Sequence, residues 1–153
     1  MPLVLLQTKP RLILPQLVVF LALCAGGCSQ SGGPPKKVCY PVKGELLVKD
    51  KPAEGATVVL RPQGEPNQDE WPSGFPRAYV GADGKFQVGT YGDNDGAPAG
   101  DYVLLVSWMT PNPQNEEAPS IDRLSGRYND PATSKLTAKV EPRPNELAPI
   151  RLP

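Results

Sequence analysis

The sequence predicts an all-β fold, and three observations carry that prediction. Twenty prolines and fifteen glycines among 153 residues leave little room for long helices. The hydrophobic fraction, 39%, is too high and too clustered for a fully disordered chain. The apolar residues also come in short runs separated by turn-forming residues, which is how strands are written.

The first 27 residues carry two charges, Lys9 and Arg11, followed by an apolar run from Leu12 to Cys24 that ends in Ala25, Gly26 and Gly27. This is the layout of a secretory signal. The run is about 13 residues long and contains Pro15 and Gln16, whereas a stable transmembrane helix needs roughly 20 apolar residues, so a cleaved signal is expected. Ala25-Gly26-Gly27-Cys28 resembles a bacterial lipobox, with Ala25 where leucine is usual. That resemblance implies lipidation of Cys28 as the first residue of a mature, membrane-anchored lipoprotein. The alternative is an ordinary signal cut near Gly27 that leaves Cys28 a plain thiol. Cys24 is a poorer site, because bulky Leu23 would occupy the cleavage position. Ser29, directly after the cysteine, resembles the signal for forwarding to the outer membrane. The expected location is therefore the cell envelope, at the outer membrane or the periplasmic side.

The Gly, Ser and Pro content up to Lys37 describes a tether. The expected organisation is a signal at 1–27, a flexible tether at 28–37 and one domain at 38–153, since about 110 residues make only one core. Cys39 is then the single cysteine of the domain. A Cys28 to Cys39 disulfide stays open if Cys28 carries no lipid.

Within the domain, Tyr40 to Lys49 and Ala56 to Pro62 are apolar runs flanking the turn residues Asp50 to Gly55, and together they suggest a hairpin. Gln63 to Pro76 reads as a polar, proline-rich surface loop, with Trp71 and Phe75 inside it. Arg77 to Val80 and Lys85 to Tyr91 read as strands around Asp83-Gly84, which suits a tight hairpin. Asp101 to Trp108 is the clearest strand, and its near-continuous apolar run suggests a central strand covered on both faces. Ser134 to Val140 and Leu147 to Leu152 supply two more. About seven short strands make a β-sandwich.

Val42-Lys43-Gly44, Lys51 to Val59, Asp83 to Phe86 and Gly96 to Val103, in that order, are similar to the carboxypeptidase regulatory-like, transthyretin-like domains of small bacterial lipoproteins. Arg127 to Pro131 and Ser134 to Thr137 resemble the same group. The resemblance implies a seven-stranded, immunoglobulin-like sandwich in which glycines set turn geometry and nearby aromatics pack inward. It also implies a non-catalytic role.

Function classes narrow in the same direction. The chain has no histidine, which removes the commonest general base, the commonest transition-metal ligand and the usual activator of a Ser or Cys nucleophile. Ser107, Ser125 and Thr133 therefore lack a base, and Ser134-Lys135 are adjacent in a strand, facing opposite ways. Net charge is zero overall and mildly acidic after the signal, against the basic face that nucleic acid demands. Asp93-Asn94-Asp95-Gly96 gathers oxygen ligands but lacks EF-hand spacing, the alternative being a self-capping turn with Gly96 at positive φ.

Among the aromatics Trp71, Phe75, Tyr79, Tyr91 and Trp108, core packing is expected for Trp108, as for Phe86, and Trp71 is the candidate binding residue. The candidate ligand-binding residues are thus Trp71, Asp93 and Asp95, with no catalytic residue, metal or cofactor expected. The expected role is a non-enzymatic envelope lipoprotein that binds an envelope protein or polysaccharide or serves as a structural module. The alternative is a calcium-dependent or carbohydrate-binding accessory module of a secreted enzyme or transport system.

Overall fold

The structure, a computed structural model, describes residues 36–115 and 117–153. The expected signal, the lipidation site Cys28 and the tether as far as Pro35 lie outside the described residues. Thirteen short strands follow: β1 (Cys39–Tyr40), β2 (Val42–Val48), β3 (Lys51–Pro52), β4 (Thr57–Pro62), β5 (Arg77–Tyr79), β6 (Lys85–Gln87), β7 (Ala97–Pro98), β8 (Gly100–Ser107), β9 (Met109–Thr110), β10 (Ile121–Asp122), β11 (Thr137–Val140), β12 (Asn145–Glu146) and β13 (Ile150–Leu152). Among the described residues the one helical turn is 3-10, at Gln68–Glu70, and no helix is long and apolar enough to cross a membrane.

Two open sheets carry the fold. One is antiparallel, in the order β11-β8-β4-β5. The other is built on β2, which pairs in parallel with β12 and β13 and antiparallel with β3 and β6. Their apolar faces share one cluster, formed by Val42 and Leu46, Val58 and Leu60, Phe86, Tyr102, Leu104 and Val106, and Ile150 and Leu152. The chain is an all-β sandwich because the strands alternate. In β8, Tyr102, Leu104 and Val106 are buried while the residues between them are not.

Both expected hairpins are corrected. The Lys49-Asp50 turn, with φ of 51° and 60°, does join a hairpin, but its second strand is only the two-residue β3. Gly55, at φ 79°, then helps carry the chain to the other sheet, where β4 pairs with β5 and β8. Gly84 adopts φ 81° as expected, yet β5 and β6 join different sheets and meet only at an Arg77–Gly89 bridge. An alternating pattern says which face is buried and not which strand lies alongside, so a hairpin and a sheet-crossing arch look alike in sequence. The expectation for β8 is corrected in one respect. It is central, between β11 and β4, but Val103 and Leu105 on its outer face are only half-buried.

Candidate functional site

The divergence of β5 and β6 creates a groove. At one end the chain turns through Gly81 to Lys85, where Gly81 N–H donates to the Lys85 carbonyl at 2.8 Å and Asp83 Oδ1 accepts Lys85 N–H at 3.0 Å. At the other end Arg77 and Gly89 exchange two backbone bonds of 2.9 Å. Between these anchors lies an open groove of about 630 Å³. Each strand shows its outer residues to solvent, Arg77 and Tyr79 from β5 and Lys85 and Gln87 from β6, with Ala78 and Phe86 buried beneath. Asp93 and Asn94 close the rim. Tyr79 is 70% exposed, and Arg77, Asp83, Lys85, Gln87 and Asp93 line the same groove. A flat apolar face surrounded by planar hydrogen-bonding groups suits a ligand that is apolar on its faces and hydroxylated at its edges.

The structure separates the two predicted aspartates. Asp93 is exposed and lines the groove, whereas Asp95 folds back on its own loop. Its carboxylate accepts backbone N–H bonds from Thr90 at 2.6 Å and from Tyr91 and Gly92 at 3.1 Å. With Asn94 at φ 59° and Gly96 at φ 94°, this is the self-capping turn. Among the described residues no three Cys, Asp or Glu side chains converge to hold a metal.

Both tryptophans pack on the core, Trp71 within it and Trp108, half-buried, against it. Trp71 is only 6% exposed, packed edge-to-face against Phe75 with centroids 5.6 Å apart, and Lys37 Nζ lies 4.6 Å from its ring centroid while pairing with Glu70 at 2.6 Å. The expectation that Trp71 offers an exposed binding face is therefore corrected. A polar loop hides it because the 3-10 turn folds the ring inward onto the core. Trp108, expected in the core, sits past the end of β8, with Arg123 stacked 3.5 Å from its ring centroid.

The remaining reactive groups serve the scaffold. Ser134 is buried and donates to the Leu104 carbonyl at 2.6 Å, and Thr133 bonds to the Arg127 carbonyl at 3.2 Å. Burial pushes the Cys39 thiol above its ordinary value, which outweighs the lowering by a Thr90 hydrogen bond, and Asp95 adds to the rise. The Tyr102 hydroxyl donates to the Pro98 carbonyl at 2.7 Å, and its burial raises its pKa far above that of a free phenol.

No protein-family model matches the chain, and no curated protein matches it. Among solved structures it is similar to a candidate carbohydrate binding protein from Pseudomonas aeruginosa, at 10% identity and a TM-score of 0.40, covering 76% of this chain and 90% of that one. It is also similar to a 9R-lipoxygenase from a Cyanothece strain, at 12% identity and a TM-score of 0.40, covering 84% of this chain but 18% of the lipoxygenase.

Proposed function

We propose that the chain is a non-enzymatic module of the bacterial cell envelope that binds polysaccharide in the groove between β5 and β6. The observation that carries this reading is Tyr79, a ring 70% exposed at the edge of a groove lined by Gln87, Asn94, Asp93 and Arg77. A sugar ring stacks on such a face while its hydroxyls exchange hydrogen bonds with the amides and charges around it. Calcium is not needed in this reading, because the oxygens of Asp95 are already bonded to three backbone N–H groups.

Electrophoresis of the protein through native gels containing candidate envelope polysaccharides tests the proposal. The protein should be retarded, and Tyr79→Ala should weaken the apparent affinity about tenfold, the loss of one good stacking contact. Equal retardation of protein and variant, or none with any polymer, would sink the groove as the site.

The same proposal includes the anchor and the finer fold. Residues 1–27 are read as a lipoprotein signal, Cys28 as the acylated residue, 28–37 as the tether and 38–153 as a carboxypeptidase regulatory-like, transthyretin-like sandwich. That reading is supported by the seven segments of three residues or more, β2, β4, β5, β6, β8, β11 and β13, which we take as its seven strands. Expressed in a Gram-negative host, the membrane-extracted protein should have the mass of residues 28–153 plus acyl groups on Cys28, and Cys28→Ser should abolish that product. An unmodified mass in the soluble fraction would remove the anchor from the proposal.

A further inference from the structure

A second concavity, of about 470 Å³, is lined by Lys49 from the β2–β3 turn, Lys51 from β3, Trp108, and Arg123, Ser125 and Arg127. Four cationic residues thus line a wall to which no Asp or Glu contributes, in a chain whose formal net charge is zero. Pro153 also lines it.

Among the described residues none of the four has an ion-pair partner. The ion pairs among the described residues are Lys37–Glu70, Arg143–Glu141 and Arg151–Asp50. Three carboxylates near in sequence are already engaged, Asp130 by accepting the Ala132 N–H at 2.7 Å. Asp50 holds Arg151 at 2.7 Å, and Asp122 accepts backbone N–H bonds from Trp108 at 2.9 Å and from Leu124 and Gly126 at 3.0 Å. Like charges gathered in one concavity repel one another unless an anion shares the space, and concave walls focus the field.

The frame is rigid. Lys49 sits in the tight turn at φ 51° with its N–H on the Leu152 carbonyl at 2.8 Å. Trp108 is fixed through its indole N–H to the Glu54 carbonyl at 2.9 Å, and Arg123 lies stacked on that ring. Stacking orients the guanidinium without using its N–H donors, and neither Arg123 nor Arg127 makes a side-chain hydrogen bond among the described residues. Two planar forks, two ammonium groups and the Ser125 hydroxyl match the oxygens of a tetrahedral oxyanion.

We propose that this pocket binds a phosphate group. Phosphate on a soluble molecule and phosphate in a lipid headgroup share this chemistry, so the test separates them. Full-length protein in uncharged detergent is titrated with inorganic phosphate at constant ionic strength, with sodium chloride as the compensating salt, while tryptophan fluorescence is read.

A saturable change is expected, with Arg127→Gln and Lys51→Gln each weakening the affinity about tenfold, as loss of one charge-assisted hydrogen bond implies. A response equal to that of chloride, or one untouched in both variants, overturns the proposal. Sedimentation with phosphatidylglycerol vesicles identifies the source: binding that inorganic phosphate competes away and Arg127→Gln removes points to a headgroup, whereas phosphate binding without such competition points to a soluble ligand. Vesicle binding indifferent to both, in a protein with no phosphate response, overturns the pocket as a phosphate site.

Discussion

Trp71→Ala is expected to lower the unfolding free energy by about 3 to 5 kcal/mol, the usual cost of truncating a buried aromatic to alanine. Against a total of about 5 to 15 kcal/mol for a domain of this kind, that is at least about a fifth of the stability. The size follows from what the side chain does. Trp71 is the anchor by which the loop from Gln63 to Pro76 is fastened to the core, with Phe75 against its edge and Lys37 beside its ring. Removing it opens a cavity and frees both neighbours. Urea unfolding followed by circular dichroism measures the change. A loss below about 1 kcal/mol, the range of ordinary surface substitutions, would mean that the ring is not part of the core.

Gly96→Ala is the second severe change, with an expected loss of about 3 to 5 kcal/mol from strain and a backbone clash together. Gly96 adopts φ 94°, and a Cβ there would stand 1.9 Å from the Tyr40 carbonyl oxygen and 2.8 Å from Pro41 N. The obstacle is backbone, so no side chain can swing aside. The β1–β7 pair, in which Tyr40 meets Ala97, would have to separate. Gly55→Ala is the control: φ there is 79°, but no heavy atom lies within 4 Å of the added carbon. It should cost only the left-handed penalty of about 1 to 2 kcal/mol. Equal melting temperatures for the two variants would show that the Tyr40 approach is not a constraint.

Much of the scaffold was legible in the sequence. The runs that became β2, β4, β8 and β11 are visible as short apolar segments, and Gly84 and Gly96 occur where turns need positive φ. What escaped was partnership. The β2–β4 and β5–β6 connections read as hairpins because each is a local turn between alternating runs, yet each crosses between sheets, and that depends on strands far away in sequence.

The sites divide in the same way. Asp93 and Asp95 stand alike in a run of oxygen ligands, and nothing local distinguishes the one that lines the groove from the one that turns inward. Trp71 was misplaced because loop polarity describes the neighbours of a side chain in the chain, not in space. Lys49, Lys51, Arg123 and Arg127 carry no local signal at all, since only the fold brings the two pairs together.

The position of β2 sets the order in which the protein can assemble. Its partners include β12 and β13, and the adjacent Asp50–Arg151 pair joins residues 101 apart in the chain. A sheet whose central strand needs the opposite end of the chain cannot be completed while that end is still missing, and pairings of such long range fold slowly, in milliseconds to seconds. A nascent chain therefore carries β2 with an unpaired edge and an exposed apolar face. Such an intermediate invites association with other strands, and a chain shortened by its last few residues should aggregate rather than remain a slightly weaker version of the same domain.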